Sequence, residues 1–261
     1  MILSLGFPVT RAALLLVMLA SSVAAADFPS PGKQVGLTFV SPADRSQQLN
    51  YLLFLPQGYG EDPARKWPLL IFLHGGGQCG DNLELLKEHG PPKLVEERPD
   101  DFPFIVASPQ SPANEVPHVD RWETYILKNF LTHLEQSLPV DRDRIYLTGL
   151  SNGGFGTFRW AAREPNRFAA IAPVCGGGWF HYGKNLKDVP AWIFHGDADP
   201  VVPLRLSQEM AEAIRAQGGN PKVTIYEGVG HDSWTRTYNN PELYQWLLSK
   251  KLSDRPPAEK K

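Results

Sequence analysis

Cysteine is almost missing from this chain: Cys79 and Cys175 are the only two among 261 residues. Two cysteines cannot build a disulfide scaffold, so the fold has to rest on an apolar core. Any run of basic residues is missing too. The 26 Lys and Arg face 28 Asp and Glu, for a formal net charge of -2, which argues against nucleic acid or an anionic membrane surface as a partner. No internal repeat and no domain-scale linker breaks the chain. No group of His, Cys and Asp has the spacing of zinc ligands, so no metal is expected.

What is present begins with a leader. Arg11 supplies a positive start, and Ala12 to Ala20 (AALLLVMLA) is apolar but too short to span a bilayer. Ala24-Ala25-Ala26 is a small-residue cleavage pattern. Residues 1–26 therefore read as a signal peptide cut before Asp27, with a membrane anchor as the competing reading. Arg11 is the only charged residue removed, which leaves 25 basic against 28 acidic residues, or -3. The expected location is secreted or periplasmic, with no membrane attachment after cleavage. There a bridge between Cys79 and Cys175 could persist.

The rest alternates between two patterns. Gly36 to Val40, Asn50 to Leu55, Leu69 to Leu73, Phe104 to Ala107, Ile145 to Leu150, Phe168 to Cys175, Ala191 to His195 and Lys222 to Tyr226 read as strands. The run Leu69-Leu70-Ile71-Phe72-Leu73 is continuously apolar, as a strand buried on both faces requires. Arg121 to Gln136 carries Trp122, Ile126, Phe130 and Leu134 at helical spacing. Asn152 to Arg163, the stretch marked by Leu206, Met210 and Ile214, and Pro241 to Lys250 are further helices. Such alternation predicts an α/β protein with a mainly parallel central sheet and helices on both faces. Residues 27–252 make one catalytic domain, and the polar, Pro-rich stretch 253–261 is a tail expected to fray.

Four motifs fall at the carboxyl ends of strands, where ligands collect in sheets of this kind. Gly149-Leu150-Ser151-Asn152-Gly153 is a G-x-S-x-G between a strand and a helix. Such a turn holds a strained serine at its apex, and the flanking glycines let the backbone fold around it. His74-Gly75-Gly76-Gly77 follows the most apolar strand. A tetrahedral oxyanion needs preorganised N–H donors, and the expected ones are the backbone amides of Gly76 and Asn152. The loop after Phe194-His195 carries Asp197 and Asp199, and either carboxylate could in principle face a histidine. Gly228-Val229-Gly230-His231 puts an imidazole on a glycine-flanked loop after the last strand. Serine, then acid, then histidine is one of three known chain orders for a catalytic triad, and differs from the two protease orders.

These residues resemble the α/β-hydrolase serine esterase group, which includes phospholipase/carboxylesterases and secreted predicted peptidases of prolyl-oligopeptidase type. The resemblance runs from about Gln34 to Lys250. It rests on HGGGQCGDN at His74, DRIYLTGLSNGGFGT at Asp143, RFAAIAPVCGGG at Arg167, FHGDADPVVP at Phe194 and GVGHDSW at Gly228. It implies the α/β-hydrolase fold, with Ser151 as nucleophile, His231 as general base and Asp199 as the acid. Asp197 is left to close its turn by accepting backbone N–H groups. The chain departs from relatives at Gln78-Cys79 and at Asn152, neither of which alters a backbone donor.

The expected activity is hydrolysis of carboxylic esters, short-chain or carbohydrate-linked, through an acyl-enzyme and without a cofactor. The alternative is a serine peptidase of prolyl-oligopeptidase type, although such enzymes add a propeller domain for which this chain is short. A non-catalytic binding module is the third reading. Among Trp122, Trp179, Phe180, His181 and Trp234, the tryptophans Trp179 and Trp234 are the expected substrate contacts. His74 is assigned to holding its loop and His195 to closing its strand.

Overall fold

The computed structural model describes residues 28–112 and 122–256. The signal peptide expected over residues 1–26 and the last five residues lie outside that range. Eight strands form one sheet: β1 (Gln34–Val40), β2 (Gln48–Phe54), β3 (Trp67–Leu73), β4 (Ile105–Pro109), β5 (Val140–Leu150), β6 (Ala170–Val174), β7 (Trp192–Gly196) and β8 (Lys222–Tyr226). Their spatial order is β1-β2-β4-β3-β5-β6-β7-β8. β2 runs antiparallel to both β1 and β4, and all other pairs are parallel. The helices are α1 (Gly90–Glu97), α2 (Thr124–Ser137), α3 (Asn152–Arg163), α4 (Tyr182–Leu186), α5 (Arg205–Arg215), α6 (Trp234–Tyr238) and α7 (Pro241–Leu248). Among the described residues no helix is long and apolar enough to cross a membrane.

Period two in the strands builds the two layers. Along β3, Leu69, Ile71 and Leu73 join one core with Leu127 and Phe130 of α2, Phe158 of α3 and Met210 of α5. Leu70 and Phe72 point the other way, into a second core with Leu94 of α1, Tyr238 of α6 and Leu243 of α7. β7 repeats the split, with Ile193 on one side and Trp192 and Phe194 on the other. A continuous apolar run is thus two alternating sets serving two helix layers. Each large side chain so buried contributes roughly 1.5–3 kcal/mol. Pro68 has no N–H to give, and the β3–β5 register shifts between Trp67 and Leu69 around it.

Some elements differ from expectation. β5 begins at Val140, five residues earlier than the apolar pattern indicates, because Val140 pairs with Trp67 ahead of the charged segment Asp141–Arg144, across which the register shifts before Ile145 pairs with Leu69. The Asp141 carboxylate accepts from the Asp143 N–H (3.0 Å) and from Arg144 Nε (2.6 Å). Helix α1, which the sequence pattern does not indicate, carries Pro91-Pro92 in its first turn, where backbone N–H groups have no partner to lose. The tail is tied down at its start rather than frayed. Asp143 accepts from the backbone and hydroxyl of Ser253 (2.6 and 2.7 Å), and Arg255 Nη1 donates to the carbonyls of Pro165 and Phe168.

Candidate active site

β5 delivers Ser151 and α3 leaves it. Ser151 has φ 53 and ψ -117, a region L-residues rarely adopt, and its N–H donates to Val174 O on β6 (2.9 Å). The turn closes because Gly153 has no side chain: a Cβ there would overlap the Leu73 carbonyl oxygen. α3 therefore sits directly on the end of β3, with Asn152 as its first residue. First-turn amides have no acceptor within their helix, and the helix dipole adds partial positive charge at that end.

The glycine loop after β3 lies over the serine. A Cβ on Gly75 would come 3.6 Å from Ser151 Cβ and 2.7 Å from Leu150 Cδ1. Gly76 opens a short 3-10 turn that runs to Gln78. His74 anchors the loop as expected. Its Nδ1 is 2.6 Å from Gly75 O, its Nε2 accepts from the Ser111 N–H (2.9 Å), and its ring stands edge-on to Trp122 at 4.8 Å.

The loops after β7 and β8 lock together. A Cβ on Gly196 would overlap the Val229 carbonyl oxygen, so only glycine lets the two loops pass. Ala198 N–H donates to Val229 O (3.0 Å), and Gly228 N–H donates to the Asp197 carboxylate (2.7 Å). Gly228 itself has φ 69. This brings the His231 ring between two partners, with Nε2 3.0 Å from Ser151 Oγ and Nδ1 2.7 Å from Asp199 Oδ2.

Asp199 is thoroughly satisfied. Oδ1 accepts from the N–H groups of Val201 (2.8 Å) and Val202 (2.9 Å), and Oδ2 meets both His231 and, at 3.2 Å, His195 Nε2. Burial pushes its pKa up, but the bonds from His231, Val202 and Val201 outweigh this and hold it below the usual carboxylate range. His195 is fully buried, with Nδ1 2.7 Å from Ser207 Oγ and Nε2 2.9 Å from Val202 O. Burial lowers its pKa, against the opposing pull of Val202 O and Asp199, and keeps the ring neutral near pH 7. It holds the Asp199 loop, a contact the sequence did not reveal.

The two tryptophans differ. Trp179 is 65% exposed and lines a cavity of about 300 Å³ with Phe155, Tyr182, Leu206 and the backbone of Gly177-Gly178. Phe155 lies one turn along α3 from Ser151. Trp234 instead stands edge-on to the His231 ring at 5.1 Å, with His89 on it at 5.4 Å. Trp122 is buried, and Phe180 is exposed beside Trp179. Cys79 and Cys175 are not bridged to each other. Cys175 ends up against the back of this site.

A family model described as phospholipase/carboxylesterase matches residues 109–240, just over half of the chain. The chain belongs to the phospholipase/carboxylesterase family. It is 40% identical to acyl-protein thioesterase 1 of Neurospora crassa, over 65% of this chain and 82% of that protein. It is 28% identical to a bifunctional acetylxylan esterase/xylanase of Neocallimastix patriciarum, over 69% of this chain. The crystal structure of a thermostable esterase superposes with a TM-score of 0.71 at 32% identity, over 84% of this chain. The chain spans 26% of the bifunctional protein and 63% of the thermostable esterase. The mostly parallel eight-stranded sheet between two helix layers is the α/β-hydrolase fold.

Proposed function

We propose that the protein is a serine hydrolase of carboxylic esters, with Ser151, His231 and Asp199 as its triad. The observation that carries this reading is the unbroken chain from Ser151 Oγ through His231 to Asp199, at 3.0 and 2.7 Å, built on a strained turn. Asp199 fixes the tautomer with the proton on Nδ1, which leaves the Nε2 lone pair facing Ser151. His231 takes the serine proton as Oγ attacks the ester carbonyl. The amides of Gly76 and Asn152 receive the oxyanion. The alcohol leaves with the proton from His231, and water then releases the acyl group by the same route. Short-chain and carbohydrate-linked esters are the proposed substrates. The acetylxylan esterase relative and the open aromatic wall at Trp179 support that class. The N-terminal leader supports export.

A fluorophosphonate probe tests the nucleophile. It should label the wild-type chain at Ser151, and Ser151→Ala should abolish both labelling and turnover, by about a millionfold in kcat. Turnover of esters but not of peptide amides by the purified chain is expected. Labelling at another serine would sink the assignment.

A further inference from the structure

We propose that Cys175, Asp199 and His231 together form a site for a soft divalent cation, Zn²⁺ or Cd²⁺, whose binding switches the hydrolase off. The switching half rests on the triad proposed above, and the binding half does not. The Cys175 thiol, an Asp199 carboxylate oxygen and a His231 ring nitrogen all lie within 4.8 Å of one another. The three residues come from three different strand ends, so no local spacing in the sequence announces them.

Two further observations mark the thiol. Cys175 has φ 40, and Ser151 is the only other non-glycine residue with positive φ among the described residues. The strand end is thus bent to place this side chain behind the nucleophile. The Ser233 hydroxyl is fully buried, has no nitrogen or oxygen partner, and lies against Cys175 Sγ.

Thiolate, imidazole and carboxylate are a zinc-type donor set, with bonds of about 2.3, 2.0 and 2.1 Å that put neighbouring ligand atoms roughly 3.5 Å apart. The present separations need to change by only about 1 Å to reach this. His231 rides on the Gly228–Gly230 loop and its side chain is 19% exposed, which gives a cation its way in. Burial, with Asp199 and Asp232 nearby, keeps the thiol protonated, its pKa pushed up to about 12 against the pull of Ser151 and Ser233.

On binding, the S–H bond breaks, the metal–sulfur bond forms and the proton goes to solvent. The cation enters between Asp199 and Nδ1, so the imidazole proton moves from Nδ1 to Nε2. The two anionic ligands balance the charge of the ion. Nε2 is now a donor and cannot accept the Ser151 proton, so hydrolysis stops.

The test uses the full chain with Cys79→Ser, so that Cys175 is the sole thiol. Cadmium titration should raise the ultraviolet thiolate-to-metal charge-transfer band to one ion per chain. Ester turnover should fall over the same range, and a chelator should reverse both. Adding Cys175→Ser should remove the band and weaken inhibition at least about tenfold. Asp199→Asn, which leaves the thiol in place, should weaken the band titration by a similar factor. If Cd²⁺ inhibits without the band, or inhibits the Cys175→Ser protein equally, the site is wrong. A saturated band with undiminished turnover would overturn the switch and count against His231 as the base.

Discussion

The Asp197 carboxylate and the Gly228 amide are joined by a 2.7 Å hydrogen bond, so the loop that carries Asp199 also clamps the loop that carries His231. Two residues later Asp199 bonds the imidazole itself. One short loop thus separates two tasks, holding the histidine's loop and orienting its ring.

The two tasks predict opposite phenotypes. Asp199→Asn should lower kcat about ten-thousandfold by stabilising the wrong imidazole tautomer, with the melting temperature less affected than the rate. Asp197→Asn keeps an oxygen acceptor on an exposed loop. It should cost under about 1 kcal/mol, or a few degrees in Tm, with kcat within about tenfold of wild type. The Asp199 pKa is depressed in the folded state, so its ionised form stabilises the fold above the ordinary carboxylate range. That stability is lost as pH falls through the depressed value. Asp199→Asn should flatten this acid-side dependence in a Tm-against-pH series. A catalytically dead Asp197→Asn beside an active Asp199→Asn would reverse the roles.

All eight strands were legible, the inner ones because each carries an apolar stretch that two helix layers require; the edge strands β1 and β8 are only partly buried. α3 was legible to the residue because Gly-rich and Pro-containing punctuation bounds it. Three helices were not. α4 and α6 span five residues each, too few to show a period, and α1 hides behind Pro91-Pro92. At the site, the chain order of Ser151, Asp199 and His231 was visible because each lies in a turn or loop that follows a strand. The contacts of His195 with Asp199 and the approach of Cys175 to Asp199 and His231 were not. They depend on how far each strand runs and which way its last side chain turns, and neither leaves a local pattern.

The exposed Trp179 and the enclosed Trp234 should separate binding from chemistry. Trp179→Ala removes an aromatic wall from the cavity beside α3 without touching His231. It should raise KM for an acetylated xylo-oligosaccharide about tenfold, a loss of about 1.4 kcal/mol, and leave kcat for a small acetate ester within about twofold. Trp234→Ala takes away the ring that packs against His231, so kcat should fall for both substrates. Equal kcat losses in the two variants, with KM unmoved in Trp179→Ala, would remove Trp179 from the substrate site.

Glycines around Ser151 are not interchangeable. Gly153 faces the Leu73 carbonyl, which belongs to a central strand and cannot retreat, whereas a Cβ on Gly77 would meet nothing within 4 Å. Gly77 lies outside the left-handed region as well, so alanine suits its backbone. Gly153→Ala must push α3 away from β3 or spoil the turn at Ser151, and a backbone clash of this kind should cost about 3 kcal/mol or more. In a domain of this size that is a fall of roughly 6–12 °C in Tm, with loss of fluorophosphonate labelling. Gly77→Ala should keep the wild-type Tm to within about 2 °C and still label, although it sits in the glycine-rich loop. Thermal melts and probe labelling of the two variants side by side decide the matter. If Gly153→Ala melts like wild type and labels normally, the close approach of α3 to β3 is not what holds the serine in place.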